Sequence, residues 1–115
     1  ASRFMDLRRM PELFCGFERR PGAGPTLYPV ACAPQAWAAA SVFLHLQACL
    51  GITLDANSHQ VRFTRPALPE FVEQMYIRNL RVGPASVDLS VVRHPGDVGI
   101  NVVRREGQVD VVVVK

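Results

Sequence analysis

Apolar residues crowd together between Pro34 and Leu50, where only Gln35, Ser41, His45 and Gln47 are side chains that seek water. That run predicts one helix with almost no polar side, so it needs cover nearly all round. Pro34 suits the first helical turn, where its missing N–H costs nothing, and Gly51 can take the left-handed conformation that closes a helix. Beyond Gly51 the period changes to two. Ile52–Asp55 and Val61–Arg65 alternate about an Asn57-Ser58 turn, as in a hairpin. After Pro66-Ala67-Leu68-Pro69 come four further strand candidates, Gln74–Asn79, Ser86–Arg93, Val98–Arg105 and Val109–Lys115. Their separators, Val82-Gly83-Pro84, His94-Pro95-Gly96-Asp97 and Glu106-Gly107-Gln108, carry good turn chemistry.

Within those strands Val87, Leu89 and Val91, and again Val98, Ile100 and Val102, form one apolar face, with Asp88, Ser90, Asn101 and Arg105 pointing away. The expected fold class is α+β: one buried helix with its N-terminal loop, then a small antiparallel, sandwich-like β-module. The organisation read from this is residues 1–51 as a helical part and 52–115 as the β-module. Ser2 to Met10 reads as the tail of another helix, stopped by Pro11. The edge-prone run Val109–Val114 must pair with something, and the sheet interior is the plainer place for it.

The helix and the sheet do not match in size. One sheet cannot cover a helix that is apolar on most sides, and leaving Trp37, Phe43 and Leu46 exposed would forgo about 1.5–3 kcal/mol each. Either two copies pair through the helix or the chain is the end of a larger helical protein, and the second is preferred. The absence of an initiator Met points the same way.

Composition narrows the class. With 115 residues, 49% of them hydrophobic, the chain is long enough for one domain with a real core. The net charge of +3 is mild, and the arginine pairs at 8–9, 19–20 and 104–105 are isolated, so neither a basic stripe nor a nucleic-acid surface is expected. The three cysteines, Cys15, Cys32 and Cys49, show no CxxC spacing, which argues against a disulfide framework or a zinc site and for a reducing, cytoplasmic setting. No signal peptide is visible, and the apolar helix is shorter than the roughly 20 residues of a bilayer span. His59 and His94 sit in turns and His45 reads as a core histidine, so no metal or cofactor is expected.

The loop before the helix holds the candidate chemistry. It gathers Glu12, Cys15, Glu18, the Arg19-Arg20-Pro21 turn, Tyr28 and Cys32, more polar variety than a connector requires. Turn signals stand at Pro21-Gly22, Gly24-Pro25 and Tyr28-Pro29. Read alone, Glu12 is a loop acid near a helix start, Glu18 a solvated acid beside two arginines, Trp37 core, and the cysteines small buried thiols.

The blocks Pro11-Glu12-Leu13-Phe14-Cys15-Gly16, Tyr28-Pro29-Val30-Ala31-Cys32 and Pro34-Gln35-Ala36-Trp37-Ala38 change that reading. In order and spacing they resemble the last helical hairpin of the glycogen-debranching, amylo-α-1,6-glucosidase-like glycoside hydrolases, whose catalytic domain is a six-hairpin (α/α) toroid. The loop here is richer in arginine, glycine and proline than in the eukaryotic debranching enzymes. The run Ile77-Arg78-Asn79-Leu80-Arg81-Val82-Gly83 is similar to the β-module that follows the toroid in bacterial members.

The resemblance implies an inverting glycosidase acting on an α-glucan or oligosaccharide. Such an enzyme sets a carboxylic acid and a carboxylate about 6.5–9.5 Å apart across the scissile bond. Glu12 falls where the family keeps its general base, and Tyr28, Gln35 and Trp37 would line a sugar subsite. The partner acid would lie in an earlier hairpin outside this chain. The implied whole is a C-terminal fragment, inactive alone, whose partners are the remaining hairpins or a second copy docked on the exposed helix. The alternative is a non-catalytic structural or carbohydrate-binding module. A binding module would display Phe63, Phe71 and Tyr76; a buttress would bury them.

Overall fold

The closing glycine of the helix behaves as its sequence position dictates. In the computed structural model, which describes residues 9–115, Gly51 adopts φ +55° directly after α1 (Ala36–Leu50). Its N–H donates to the Ala48 carbonyl at 3.3 Å, and the Cys49 carbonyl accepts from Ala67 N–H at 2.8 Å, so carbonyls left orphaned at the helix end find donors. The start differs from expectation. Pro34 and Gln35 precede α1: the Gln35 carbonyl accepts the Ala39 N–H at 3.1 Å, and its side-chain Oε1 accepts the Ala36 N–H at 2.9 Å. Gln35 therefore caps the helix, and Pro34 lies outside it. The expected helical tail over 2–10 falls largely outside the described residues; Arg9 and Met10 are not helical.

The chain divides into two compact units, Ala1–His45 and Leu46–Lys115. In the first, the described chain before α1 is mostly irregular, held by a single antiparallel bridge between Phe14 and Leu27. Cys15 N–H donates to the Thr26 carbonyl at 2.9 Å, and turns close at Pro21-Gly22 and Tyr28-Pro29 through Ala23 N–H to Arg20 O and Ala31 N–H to Tyr28 O. Gly24-Pro25 forms no turn. Most of α1 is uncovered: Trp37 is 63% and Phe43 74% exposed, with Val42 and Leu44 alike. His45 is exposed too, contrary to the core position expected for it, because this stretch of helix has no core around it.

The second unit holds the strands β1 (Ile52–Asp55), β2 (Gln60–Thr64), β3 (Gln74–Val82), β4 (Ala85–His94), β5 (Asp97–Glu106) and β6 (Asp110–Val114). They form two three-stranded sheets, β1-β2-β6 and β3-β4-β5. The second is a meander with two-residue loops, Val82 facing Ala85 and His94 facing Asp97. In the first, β1 and β2 pair antiparallel, from Ile52 opposite Phe63 to Asp55 opposite Gln60. β6 then joins β2 in parallel, from Gln60 opposite Asp110 to Thr64 opposite Val114. An all-antiparallel module was the expectation; the parallel pair corrects it. A parallel pair needs a long crossover, and the whole β3-β4-β5 sheet supplies it.

Val61 and Phe63 of β2, together with Val109, share one core cluster with Val82, Ala85, Val87, Leu89, Val91 and Val98 of the other sheet, and Leu50 closes it from the last turn of α1. Leu46 packs against the same cluster. The other face of β4 is not simply solvated. Ser86 and Ser90 are buried there beneath longer neighbours: Gln74 Nε2 donates to Ser90 Oγ at 3.1 Å and to the Tyr76 hydroxyl at 2.8 Å, and Ser86 Oγ donates to Glu106 at 3.2 Å.

Asp88 pins this sheet where both of its neighbours bulge. The register slips on β3 between Ile77 and Leu80 and on the β5 side between Asp88 and Leu89. Asn79, at φ +52°, turns its N–H onto Asp88 Oδ1 at 2.6 Å, while Arg104 Nε donates to Oδ2 at 3.1 Å. Asparagine is among the few side chains at ease in the left-handed region. The Asn79 N–H, with help from Arg104, holds the Asp88 carboxyl below its ordinary range. A carboxylate with a depressed folded pKa stabilises above its unfolded value, and that stabilisation is lost as pH falls through the folded value. Asp88→Asn should therefore lower the urea midpoint at pH 7. The gap to the parent should close at pH below the ordinary aspartate value of about 3.9; a gap independent of pH would contradict this account.

Candidate functional site

Three separated stretches of sequence meet at the Glu12 carboxylate. Its own loop, between Pro11 and Leu13, leaves it half-buried. The backbone N–H of Cys32 donates to Glu12 Oε2 at 2.6 Å. The side-chain amide of Gln35 and the thiol of Cys32 also favour the charged form of this carboxylate. The Tyr28-Pro29 turn delivers Cys32 to this position, and Gln35 arrives as the cap of α1. The site is thus built from a bend, a turn and a helix start, with the positive end of the helix close in sequence to the carboxylate's donors.

These contacts set the protonation of both partners. The Cys32 N–H, then the Gln35 amide, lower the Glu12 pKa from its ordinary value because each favours the charged carboxylate. The carboxylate in turn raises the pKa of the Cys32 thiol, first by accepting its hydrogen bond and then by its charge. A thiol held protonated is a poor nucleophile. The pair therefore presents an ionised carboxylate acceptor and no thiolate. An ionised carboxylate can take a proton from water; this one is also oriented.

Of the four residues read as a site, only Gln35 bears on Glu12, where its amide helps to lower the carboxyl pKa. Tyr28 lies in the turn before Cys32 and Trp37 is the second residue of α1; both are exposed, and neither is among the groups bonded to the carboxylate. Cys32 is the residue that sequence reasoning passed over. Its place in the second of the three blocks was the available signal, but a thiol in that context reads as small and buried, and here it is exposed. A concavity of about 450 Å³ in this unit belongs to the 15–26 loop, where Arg20 reaches Thr26 Oγ1 at 3.1 Å, and does not include Glu12.

Among the described residues no three of His, Cys, Asp and Glu gather as a metal site requires, and no helix is long and apolar enough to cross a membrane. Comparison with protein-family models, with curated proteins and with solved structures finds no match.

Proposed function

We propose that this chain is the C-terminal portion of a cytoplasmic, inverting glycoside hydrolase of the amylo-α-1,6-glucosidase-like type, in which Glu12 is the general base. The observation that carries the reading is the bond by which the Cys32 N–H of the VAC block holds the Glu12 carboxylate of the PEL block, at 2.6 Å, just ahead of the PQAW block. The family resemblance rests on those blocks, and their backbone and side-chain donors hold one carboxylate ionised. In hydrolysis that carboxylate takes a proton from a water on the face of the sugar opposite the leaving group, and the water attacks the anomeric carbon. The general acid comes from an earlier hairpin. Tyr28 and Trp37 offer exposed aromatic faces to a sugar, and the β-module buttresses the last hairpin.

The uncovered apolar helix supports the same reading. Trp37, Val42, Phe43 and Leu44 are all more than half exposed, and burying each against the remaining helical hairpins of a toroid would gain about 1.5–3 kcal/mol. Free Cys15, Cys32 and Cys49 accord with a reducing cytoplasm.

A second reading, a carbohydrate-binding module, gains something from the β-module: Phe71 is 87% exposed and Tyr76 is exposed as well, where burial was expected of a buttress. Phe63 alone is in the core. One face of Tyr76 is already covered by the Arg78 guanidinium, 5.9 Å from the ring centre, so a sugar would have to displace a cation–π contact to stack there.

The 115-residue chain on its own should show no hydrolysis of α-1,6- or α-1,4-linked glucans. Measurable glucose release that disappears in Glu12→Gln would contradict the placement of the acid outside this chain.

A further inference from the structure

We infer that the free edge of β6 is a pairing surface for a second copy of this chain, joined strand to strand about a two-fold axis at Val112. The inference is independent of the role proposed for Glu12. By its residues the run Val109–Val114 belongs in a sheet interior; instead β6 ends its sheet, with β2 as its one hydrogen-bonded neighbour. The parallel ladder fixes which backbone groups are left over. Asp110 N–H donates to His59 O at 2.8 Å, and Arg65 N–H donates to Val114 O at 2.7 Å. Asp110, Val112 and Val114 therefore face β2, and the intervening Val111 and Val113 turn both N–H and C=O outward. Among the described residues no backbone group outside the strands answers them.

The other sheet edges are blunted and this one is not. Strands β3 and β5 are bent by register shifts and carry charged side chains such as Arg78 and Arg104. β1 has only four residues, and its Ile52 carbonyl already accepts from Gln47 Nε2 at 3.3 Å. Short strands, bulges and charges are the means by which proteins keep edges from pairing. Between Asp110 and Lys115, β6 has nothing but valine, and it follows β2 in unbroken register.

A second copy meets this edge with an open edge of its own. A two-fold axis normal to the sheet runs the two strands antiparallel. With Val112 opposite Val112 of the second copy, Val111 comes opposite Val113 of the second copy, and each such pair exchanges both N–H···O bonds. Both unsatisfied edges are then closed at once, and the symmetry allows no further addition. Val111 and Val113 already pack against the core cluster, so the pairing carries that apolar layer across the axis. No like charges meet: Asp110 comes opposite Val114 of the second copy, and Lys115 opposite Val109. A shift by one residue would set the outward groups against groups already bonded to β2.

Sedimentation equilibrium of the 115-residue chain should show a concentration-dependent dimer. Val112→Lys sets like charges against each other at the axis without entering the core face. It should raise the dimer dissociation constant at least about tenfold while the circular dichroism stays the same. Phe43→Ser, on the uncovered stretch of α1, should leave the dimer as it is. A second readout does not rely on the lysine variant. In a pair of this kind, between hydrogen-bonded ones, the Cα atoms stand about 4.5 Å apart, within reach of a disulfide. Under mild oxidation Val112→Cys should link two copies through the introduced thiols, recovered as a cross-linked peptide by mass spectrometry. Val114→Cys, which faces Asp110 of the second copy, should not.

A chain that stays monomeric at every concentration would overturn the inference and leave the edge to an extended segment of another protein. So would a dimer that survives Val112→Lys but dissociates in Phe43→Ser, which would put the contact on α1. Equal linkage through the introduced thiols at 112 and 114 would overturn it as well.

Discussion

Gly51→Ala is expected to remove a large share of the stability of the β-module. Two penalties fall on the one added methyl group. The backbone at 51 has φ +55°, a conformation that costs a non-glycine residue about 1–2 kcal/mol. The new Cβ would also stand 2.0 Å from the Thr64 carbonyl oxygen and 3.0 Å from its carbon. Those are backbone atoms of β2, tied in place by the Thr64 N–H to Gly51 O bond of 3.0 Å, so no side chain can swing away. Relieving the clash means prising β1 from β2 or unwinding the end of α1, where Leu50 closes the core.

Overpacking of this kind adds about 1–3 kcal/mol, which brings the total to roughly 2–5 kcal/mol against a usual stability of about 5–15 kcal/mol. Gly96→Ala is the matched control. It too has positive φ, +74°, but its Cβ would meet nothing within 4 Å, so only the conformational penalty of about 1–2 kcal/mol applies. Urea unfolding of the two variants should separate them widely. Equal midpoints would show that the Thr64 backbone yields easily.

Much of this architecture could be read from residue order. The alternation of Val87, Leu89 and Val91 against Ser86, Asp88 and Ser90 places β4, and glycines or prolines sit in the loops that join it to β3 and β5. Gly51 marks the end of α1 because a left-handed closing residue is a local requirement. The features that escaped depend on partners distant in sequence. Nothing in Val111–Val113 distinguishes a strand that joins β2 in parallel from one that adds to the meander. The buried state of Ser86 and Ser90 depends on Gln74, Tyr76 and Glu106 reaching across from flanking strands. The bulges beside Asp88 are signalled in sequence only by an unremarkable Asn79. At the candidate site Glu12 and Gln35 stood out by the company they keep, whereas Cys32 did not, since the atom that matters most there is its backbone N–H and every residue but proline has one.

The central claim is that Glu12 is a base, and Glu12→Gln tests it with little disturbance to the fold. Glutamine has the shape of the glutamate and its Oε1 can still accept the Cys32 N–H, so the fold is kept; the depressed Glu12 pKa means that losing the charge lowers the urea midpoint at pH 7 somewhat. What glutamine cannot do is take a proton from water. Loss of a general base typically lowers a rate by about 10²–10⁴-fold, and because the base acts in the transition state the fall should appear in kcat with KM little changed. The most direct measurement is the rate of α-1,6-glucan hydrolysis by this chain joined to the upstream helical hairpins that the proposed function calls for, compared with the same protein carrying Glu12→Gln. The account predicts a fall in kcat of at least about 100-fold with the fold intact; an equal kcat in the two proteins would contradict it.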